Sequence, residues 1–295
     1  MKKILLAVAL AGLTATSCST VSMTGRKQLN LVSESEVLTS SLASYQSYMQ
    51  TAKLSTDANR TAIVRNVATR IAQAAEAYLK SSGQEADLQN YSWEINLTQN
   101  SELNAFCMPG GKIVVYEGML NLIGNSATRD DELAAVIGHE VGHAIAKHGQ
   151  ERMSQQMLTN LGSSVLSTVV QNKSQQTQQL AALAYGMGTQ YGALLPFSRK
   201  HELEADYIGL VLMTMAGYQP EAALTLWEKM DAASTSQPSE FTSTHPSHDR
   251  RMSELRKNIP EVRKALGVTA PNTTTKTSTN AKKTTQKSGT GFKIG

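Results

Sequence analysis

The chain has 295 residues, 40% of them hydrophobic and 18% charged, with a formal net charge of +4 at pH 7. A chain of this length can bury a single core, so the composition excludes a mini-protein held together by disulfides, and only 2 cysteines are present. The charge is modest and no aromatic residues alternate with basic ones, so we expect no nucleic-acid partner.

The first 17 residues have the pattern of a secretory signal peptide. A basic start precedes a short apolar run over residues 4–13, which is too short to span a membrane. Cys18 stands where a lipoprotein signal places the cysteine that is lipidated after cleavage, although Ala15 occupies a position where leucine is usual. The alternative is ordinary cleavage without lipidation. Thr20 replaces the aspartate that commonly retains lipoproteins at the inner membrane, so we expect an outer-membrane anchor that faces the periplasm.

The sequence divides into four segments. We predict a signal peptide at 1–17, a lipid-anchored tether at 18–33, one folded domain at 34–267 and a disordered tail at 268–295. The tail consists mainly of Thr, Ser, Lys and Asn, so it cannot bury enough apolar surface to fold. Its lysines could touch anionic lipid or a cell-wall polymer, or the tail could simply solubilise the chain.

Apolar residues recur at helical spacing through most of the predicted folded domain. Asp57 caps a segment whose apolar positions include Ile63, Val67 and Ile71, and Pro220 opens another helix. Further helices are predicted at 35–49, 247–257 and 260–266.

Two segments favour β-strands instead. Residues 91–98 alternate apolar and polar side chains, which is typical of a half-buried strand. Residues 112–116 form a second apolar run, which follows the turn-forming sequence at 109–111. We therefore predict a small sheet within a mainly helical domain.

Residues 139–143 read His-Glu-Val-Gly-His, the H-E-x-x-H pattern of zinc peptidases. On an α-helix, His139 and His143 lie on one face, so both imidazoles can bind one Zn²⁺. Glu140 can reach the open side of the metal, where it can take a proton from water and later pass it to a leaving amine.

The residues before this motif argue against a solvated surface helix. Acidic side chains crowd the predicted helix start at 130–132, where the helix dipole favours them. Leu133, Val136 and Ile137 begin an apolar stripe that buries the helix. Buried histidines need partners, because an unpaired polar group costs roughly 2–7 kcal/mol, and a metal ion supplies the partner.

The segment 153–195 connects the motif to the next candidate ligands. It contains two apolar blocks, at 158–170 and 180–195, which a polar stretch at 171–176 separates. Neither block reaches the roughly 18 consecutive apolar residues of a membrane-spanning helix. We predict a helical hairpin with a polar tip, which is either a lid over the cleft or a flap that faces a membrane.

A catalytic zinc takes three protein ligands and leaves one position open. Glu202 and Asp206 lie four residues apart, on one face of a predicted helix. We assign Glu202 to the metal and Asp206 to accept the outer N–H of a ligand histidine. His201 is a weaker candidate for the third ligand because it faces a different direction, and Glu204 is expected to be solvated.

Two other histidines have less certain roles. His245 is either a structural residue beside a helix start, a stabiliser of the oxyanion, or an occupant of the open zinc position that keeps the enzyme latent. His148 follows the motif on the same predicted helix and is expected to be solvated.

The H-E-x-x-H motif and the S-R-x-x-E-x-x-A-D sequence at 198–206 resemble the gluzincin metallopeptidase family of the CAAX prenyl proteases, HtpX-type proteases and the mitochondrial Oma-type protease. Within that family, the chain looks more like the bacterial envelope lipoproteins. Three more stretches match: T-G-R-x-Q-L at 24–29, N-A-F-C-x-P-G-G at 104–111 and T-H-P-x-x-x-x-R at 244–251. Cys107 replaces a small aliphatic residue, and we expect it to be buried near the cleft.

The resemblance covers residues 20–265 and implies an α+β fold that is mainly α. A zincin-like metallopeptidase domain at 34–267 would have a small antiparallel or mixed sheet beside the H-E-x-x-H helix. One Zn²⁺ per chain would be held by His139, His143 and Glu202. Zincins bind an extended substrate along an edge strand. We expect that edge to consist of Ile113, Val114, Val115 and Tyr116.

Together these features predict a zinc-dependent endopeptidase of the bacterial cell envelope, which cleaves unfolded or misassembled envelope proteins as quality control. Its partners would be those substrates, the membrane through a lipid on Cys18, and envelope assembly partners. The alternative is a periplasmic chaperone or assembly factor with a latent or rarely used protease site. The intact Glu140 disfavours a site that has lost its chemistry, because only catalysis needs a base.

Overall fold

The computed structural model describes residues 18–190, 194–234, 245 and 248–269. The predicted signal peptide at 1–17 and the tail from residue 270 onward lie outside these described residues. Two short antiparallel strands, β1 (Cys18–Thr20) and β2 (Lys27–Leu29), form a ribbon at the start of the described chain. Val21, between them, is buried in the main core, so this segment packs on the domain that follows.

Helices α1 (Glu34–Thr51) and α2 (Ala58–Ser81) confirm two predicted helices. The side chain of Ser33 accepts a hydrogen bond from the N–H of Glu36, whose side chain accepts one from the N–H of Ser33, so α1 begins with a capping box. Asp57 caps α2 by accepting from the N–H of Arg60 at 2.9 Å.

The predicted small sheet is confirmed, and it is mixed. It contains β3 (Glu94–Thr98), β4 (Ala105–Met108) and β5 (Lys112–Tyr116) in the order β3-β5-β4. β3 runs parallel to β5, and β4 runs antiparallel to it. The first strand begins three residues later than predicted, because its partner β5 begins at Lys112, opposite Glu94.

The predicted substrate edge is wrong. Ile113, Val114, Val115 and Tyr116 lie in β5, which is the central strand and pairs on both sides. All four side chains are buried. The turn sequence at 109–111 predicts that β5 pairs with β4, which directly precedes it. It does not predict the second partner, β3, because that parallel pairing joins strands that are not neighbours in sequence. The edges of this sheet are β3 and β4.

After a short helix, α3 (Glu117–Ile123), the H-E-x-x-H motif lies on α4 (Arg129–Ile145). Its acidic first turn and its burial from Glu132 onward confirm the predicted buried helix. The helix ends two residues after the motif, and Lys147 adopts the left-handed conformation, with φ of 55°. Ion pairs with Glu34 and Asp87, at 2.9 and 3.0 Å, hold Lys147 there.

The predicted hairpin is confirmed as α5 (His148–Val170) and α6 (Gln175–Thr189), with a polar tip at 171–174. Tyr185 joins the two helices by donating to the carbonyl of Thr159 at 2.8 Å. Within the described part of the chain, no helix is both long and apolar enough to cross a lipid bilayer. Large apolar side chains nevertheless stay exposed along the hairpin: Met153, Met157, Leu158, Leu161, Val165, Val169, Leu180, Leu183 and Met187.

Helix α7 (Leu195–Met215) packs directly on α4, backbone against backbone. A Cβ atom added at Gly209 would lie 2.9 Å from the backbone nitrogen of His139, and one at Gly142 would lie 2.9 Å from the carbonyl oxygen of Ala205. Because no side chain separates the two backbones, residues of α7 come within reach of the motif.

The chain closes with α8 (Ala222–Ser234) and α9 (His248–Leu266). Two short closing helices were predicted, but α9 is one continuous helix with Pro260 inside it. Proline usually ends a helix because it lacks an N–H and crowds the preceding turn. Here Leu255 and Ile259 before the proline and Val262 after it are all buried in the core, so both parts of the helix are held by packing.

Candidate metal centre

Three side chains from α4 and α7 converge as predicted. His139 Nε2 lies 3.1 Å from His143 Nε2 and 3.4 Å from a carboxylate oxygen of Glu202. His143 Nε2 lies 3.5 Å from the other oxygen of Glu202. Ligand atoms about 2.0–2.2 Å from a tetrahedral metal lie roughly 3.3–3.6 Å from one another, so the spacing suits one metal ion.

The bonding of these atoms also fits a cation. Glu202 Oε1 and Glu140 Oε1 are buried and accept no hydrogen bond from the described residues. Together with His245, the ligand residues form a cluster whose donor atoms all lie within 4.8 Å of one another and could hold a metal ion. Burying acceptor atoms without partners costs free energy, and a bound cation would remove that cost.

The pKa values of the two histidines determine whether each ring is free to bind a metal ion. Burial lowers the pKa of His143 to about 3, so its ring is neutral and able to coordinate. Burial also acts to lower the pKa of His139, but hydrogen bonds to Asp206 and Glu202 raise it to about 9. A metal must displace that proton from His139, so its affinity should fall as the pH falls below about 9.

Asp206 occupies its predicted place. Its Oδ1 lies 2.9 Å from Nδ1 of His139, so the outer nitrogen can donate while Nε2 faces the other ligand atoms. Asp206 is held in turn by Arg251, whose Nε and second terminal nitrogen donate to its two oxygens at 2.7 and 2.6 Å.

Arg251 is a functional residue to which sequence reasoning assigned no role. It is fully buried, stacks 3.7 Å above the ring of Trp227 and lies 3.1 Å from Glu202. One guanidinium therefore supports both Glu202 and Asp206. The only available signal was its position in the T-H-P-x-x-x-x-R stretch, since nothing in the surrounding charged sequence predicts burial.

Glu140 faces a cleft of about 220 Å³ beside the ligands. Burial raises the pKa of its carboxyl group, which favours uptake of a proton. Cys107 and Pro109 of the β4–β5 hairpin and Leu38 of α1 also line the cleft. Cys107 is buried as predicted, and burial raises the pKa of its thiol.

His245 reaches the same centre from the far end of the chain. Its Nδ1 lies 2.8 Å from Glu202 Oε2 and 3.2 Å from His139 Nε2. Its Nε2 lies 3.6 Å from Glu140. His245 thus stands beside both the ligands and the base, and it offers a fourth donor atom to the cluster.

The predictions for two neighbouring residues, His148 and Glu204, are wrong. His148 and Glu204, predicted to be solvated, are buried and bonded to each other at 2.9 Å. His148 does not continue the motif helix, because the left-handed turn at Lys147 directs its ring back to His143, with the Nδ1 atoms 2.8 Å apart. His201, the weaker candidate for the third ligand, bonds to Glu151 at 2.8 Å and is not at the metal cluster, which agrees with the choice of Glu202.

Comparison with known proteins adds independent findings. The sequence model described as peptidase family M48 matches residues 60–259. The chain is 38% identical over 176 residues to the mitochondrial metalloendopeptidase OMA1 of Schizosaccharomyces pombe, covering 59% of this chain and 49% of that protein. The Arabidopsis thaliana protein of the same name is 39% identical over 172 residues, covering 58% and 33%.

A bacterial relative is also similar. The beta-barrel assembly-enhancing protease of Escherichia coli is 30% identical over 174 residues, which cover 57% of this chain and 34% of that protein. The chain thus spans about half, or less, of the length of these relatives.

Proposed function

The chain belongs to peptidase family M48, and from this premise we propose that it is a zinc-dependent endopeptidase of the cell envelope that cleaves unfolded or misassembled proteins. The observation that carries the proposal is the spacing of His139, His143 and Glu202, with the carboxylate of Glu140 beside them. The predicted signal peptide and the name of the Escherichia coli relative support the envelope as its location.

His139, His143 and Glu202 would hold the zinc ion. When bound, zinc would supply a Lewis acid that polarises the scissile carbonyl group and activates water. Glu140 takes a proton from the attacking water and returns it to the leaving amine. Asp206 and Arg251 keep His139 and Glu202 in position, so that these side chains need not rearrange during the reaction.

Strand β4 is the better candidate for substrate binding. It is an edge of the sheet, and its Cys107 lines the cleft beside Glu140. An extended peptide can pair with such an edge through main-chain hydrogen bonds, which select for an unfolded segment more than for a particular sequence. This supports unfolded proteins as the substrate class.

Metal removal tests the proposed function. The chain from Cys18 onward would be incubated with casein, which is unfolded, and with a folded protein as the control. We expect cleavage of casein alone, complete loss with a chelator, and recovery when about one Zn²⁺ per chain is restored but not with Mg²⁺. Chelator-resistant cleavage would reject a metal mechanism, and zinc binding without any cleavage would favour the chaperone or assembly factor.

The place of His245 supports a latent form of the enzyme. Its Nδ1 lies among the ligand atoms, where it competes with water and substrate for the open position. We expect His245→Ala to raise the casein cleavage rate several-fold, at an unchanged zinc content determined by elemental analysis. A fall in the rate would instead identify an oxyanion stabiliser, and an unchanged rate would identify a structural histidine.

A further inference from the structure

A second buried polar network adjoins the ligands, and none of the steps above uses it. His148 Nδ1 lies 2.8 Å from Nδ1 of His143, and His148 Nε2 lies 2.9 Å from Oε2 of Glu204. His148 and Glu204 are only 1% and 6% exposed, so water does not replace these partners. The three side chains form a continuous path that leads away from the metal cluster.

The proton positions along this path follow from the role of His143. When Nε2 of His143 is the ligand atom, its neutral ring carries the proton on Nδ1. That N–H donates to Nδ1 of His148, which must therefore accept. His148 then carries its own proton on Nε2 and donates it to the Glu204 carboxylate. Each hydrogen bond thereby fixes the direction of the next, and Glu204 is the acceptor at the end of the path.

Arg26 holds Glu204 in place from the N-terminal ribbon. Its Nε donates to Glu204 at 2.6 Å, and its two terminal nitrogens pair with Glu151 at 3.1 and 2.8 Å. Thr24 also donates to Glu204. One guanidinium therefore compensates two buried carboxylates, whose charges would otherwise be unpaired.

The same arginine also supports the face of the His148 ring. His201 stacks on His148 with ring centroids 4.2 Å apart and an angle of 17° between the planes. His201 Nε2 bonds to Glu151, the second carboxylate that Arg26 holds. His148 is thus fixed both at its nitrogen atoms and across its ring.

We propose that Arg26, Glu204 and His148 are positioning residues for His143, so that the N-terminal segment 24–29 helps to set the affinity of the metal centre. The inference rests on the proposed function only in taking His143 as a metal ligand. The predicted lipid-anchored tether at 18–33 contains Thr24 and Arg26, so this segment contacts the support of the active site directly.

The test measures the apparent dissociation constant for Zn²⁺ of the chain from Cys18 onward, by competition with a chromogenic chelator at fixed pH. Glu204→Gln keeps the size of the side chain but removes the carboxylate to which His148 and Arg26 donate hydrogen bonds. We expect Glu204→Gln and His148→Phe each to weaken zinc binding about 10–100-fold. Because both residues act on His143 through the same path, the double variant should bind zinc about as tightly as the single variant with the lower zinc affinity.

Glu221→Gln is the matched control. Glu221 pairs with Arg263 through two hydrogen bonds, at 2.9 and 2.6 Å, away from the metal cluster, so zinc affinity should not change. Zinc affinity of Glu204→Gln within about twofold of wild type would overturn the inference, even if its melting temperature falls. If His148→Phe fails to fold by circular dichroism, Glu204→Gln alone carries the test.

The two proposals can fail separately. A wild-type chain that binds zinc without cutting would reject the proposed activity, and the zinc affinities of the Glu204 and His148 variants would still test the positioning role. A wild-type chain that binds no zinc would overturn the positioning role, because His143 would then not be a ligand.

Discussion

Replacing Glu140 with glutamine is expected to lower the rate of casein cleavage by about 10²–10⁴-fold while zinc stays bound. The reason is that glutamine keeps the shape of the side chain but cannot take up a proton. The wild-type carboxylate is buried beside the ligands, its Oε1 accepts no hydrogen bond from the described residues, and burial raises its pKa.

The measurement compares kcat and zinc content of the wild type and of Glu140→Gln. Glu228→Gln serves as a control, because Glu228 is exposed and its ion pair with Arg256 is a long surface pair, at 3.4 Å. A Glu140→Gln variant that binds zinc and cleaves casein at the wild-type rate would remove Glu140 from the mechanism. Loss of zinc from the variant would mean that Glu140 supports the metal rather than the proton transfer.

Replacing Arg251 with methionine is expected to lower the free energy of unfolding by about 3–5 kcal/mol, because it removes the guanidinium that pairs with two buried carboxylates. Arg251 is fully buried and contacts Asp206 at 2.6 Å and Glu202 at 3.1 Å. Methionine keeps an apolar contact with Trp227, so the expected loss reflects charge more than packing. Urea unfolding measures this change in the free energy of unfolding. The protein is kept metal-free, because a bound metal ion would itself balance part of the charge of Glu202.

Arg256→Met provides the control on the same helix. Arg256 is exposed and its ion pair with Glu228 is solvated, so the substitution should change the free energy of unfolding by less than about 1 kcal/mol. A loss for Arg251→Met as small as that of the control would show that the buried cluster does not depend on the guanidinium charge. Both arginines lie on α9, but Arg251 is buried and Arg256 is exposed, so the comparison reports the effect of burial.

The metal ligands could be predicted from sequence because each pair depends on local spacing. His139 and His143 lie one helical turn apart, as do Glu202 and Asp206, and a regular helix places such residues on one face. The sequence also suggested that these helices are buried. It did not show how the helices meet, which depends on the close approach at Gly209 and Gly142.

The wrong predictions concern residues whose surroundings come from distant parts of the chain. Glu204 looked solvated because its partner Arg26 lies 178 residues away. The central position of β5 depends on β3, which pairs with it only through a non-local parallel contact. His148 looked like part of the motif helix because a lysine gives no signal for a left-handed turn. Local periodicity contains none of this information.

The burial of Cys107 makes the protein convenient to label. The chain has only 2 cysteines, and a buried thiol with a raised pKa reacts slowly with maleimides. In a chain with Cys18→Ser, a cysteine introduced at Lys173, on the exposed tip of the hairpin, would be the main reactive thiol. A fluorophore there would report whether the hairpin moves during catalysis without touching a residue of the metal centre.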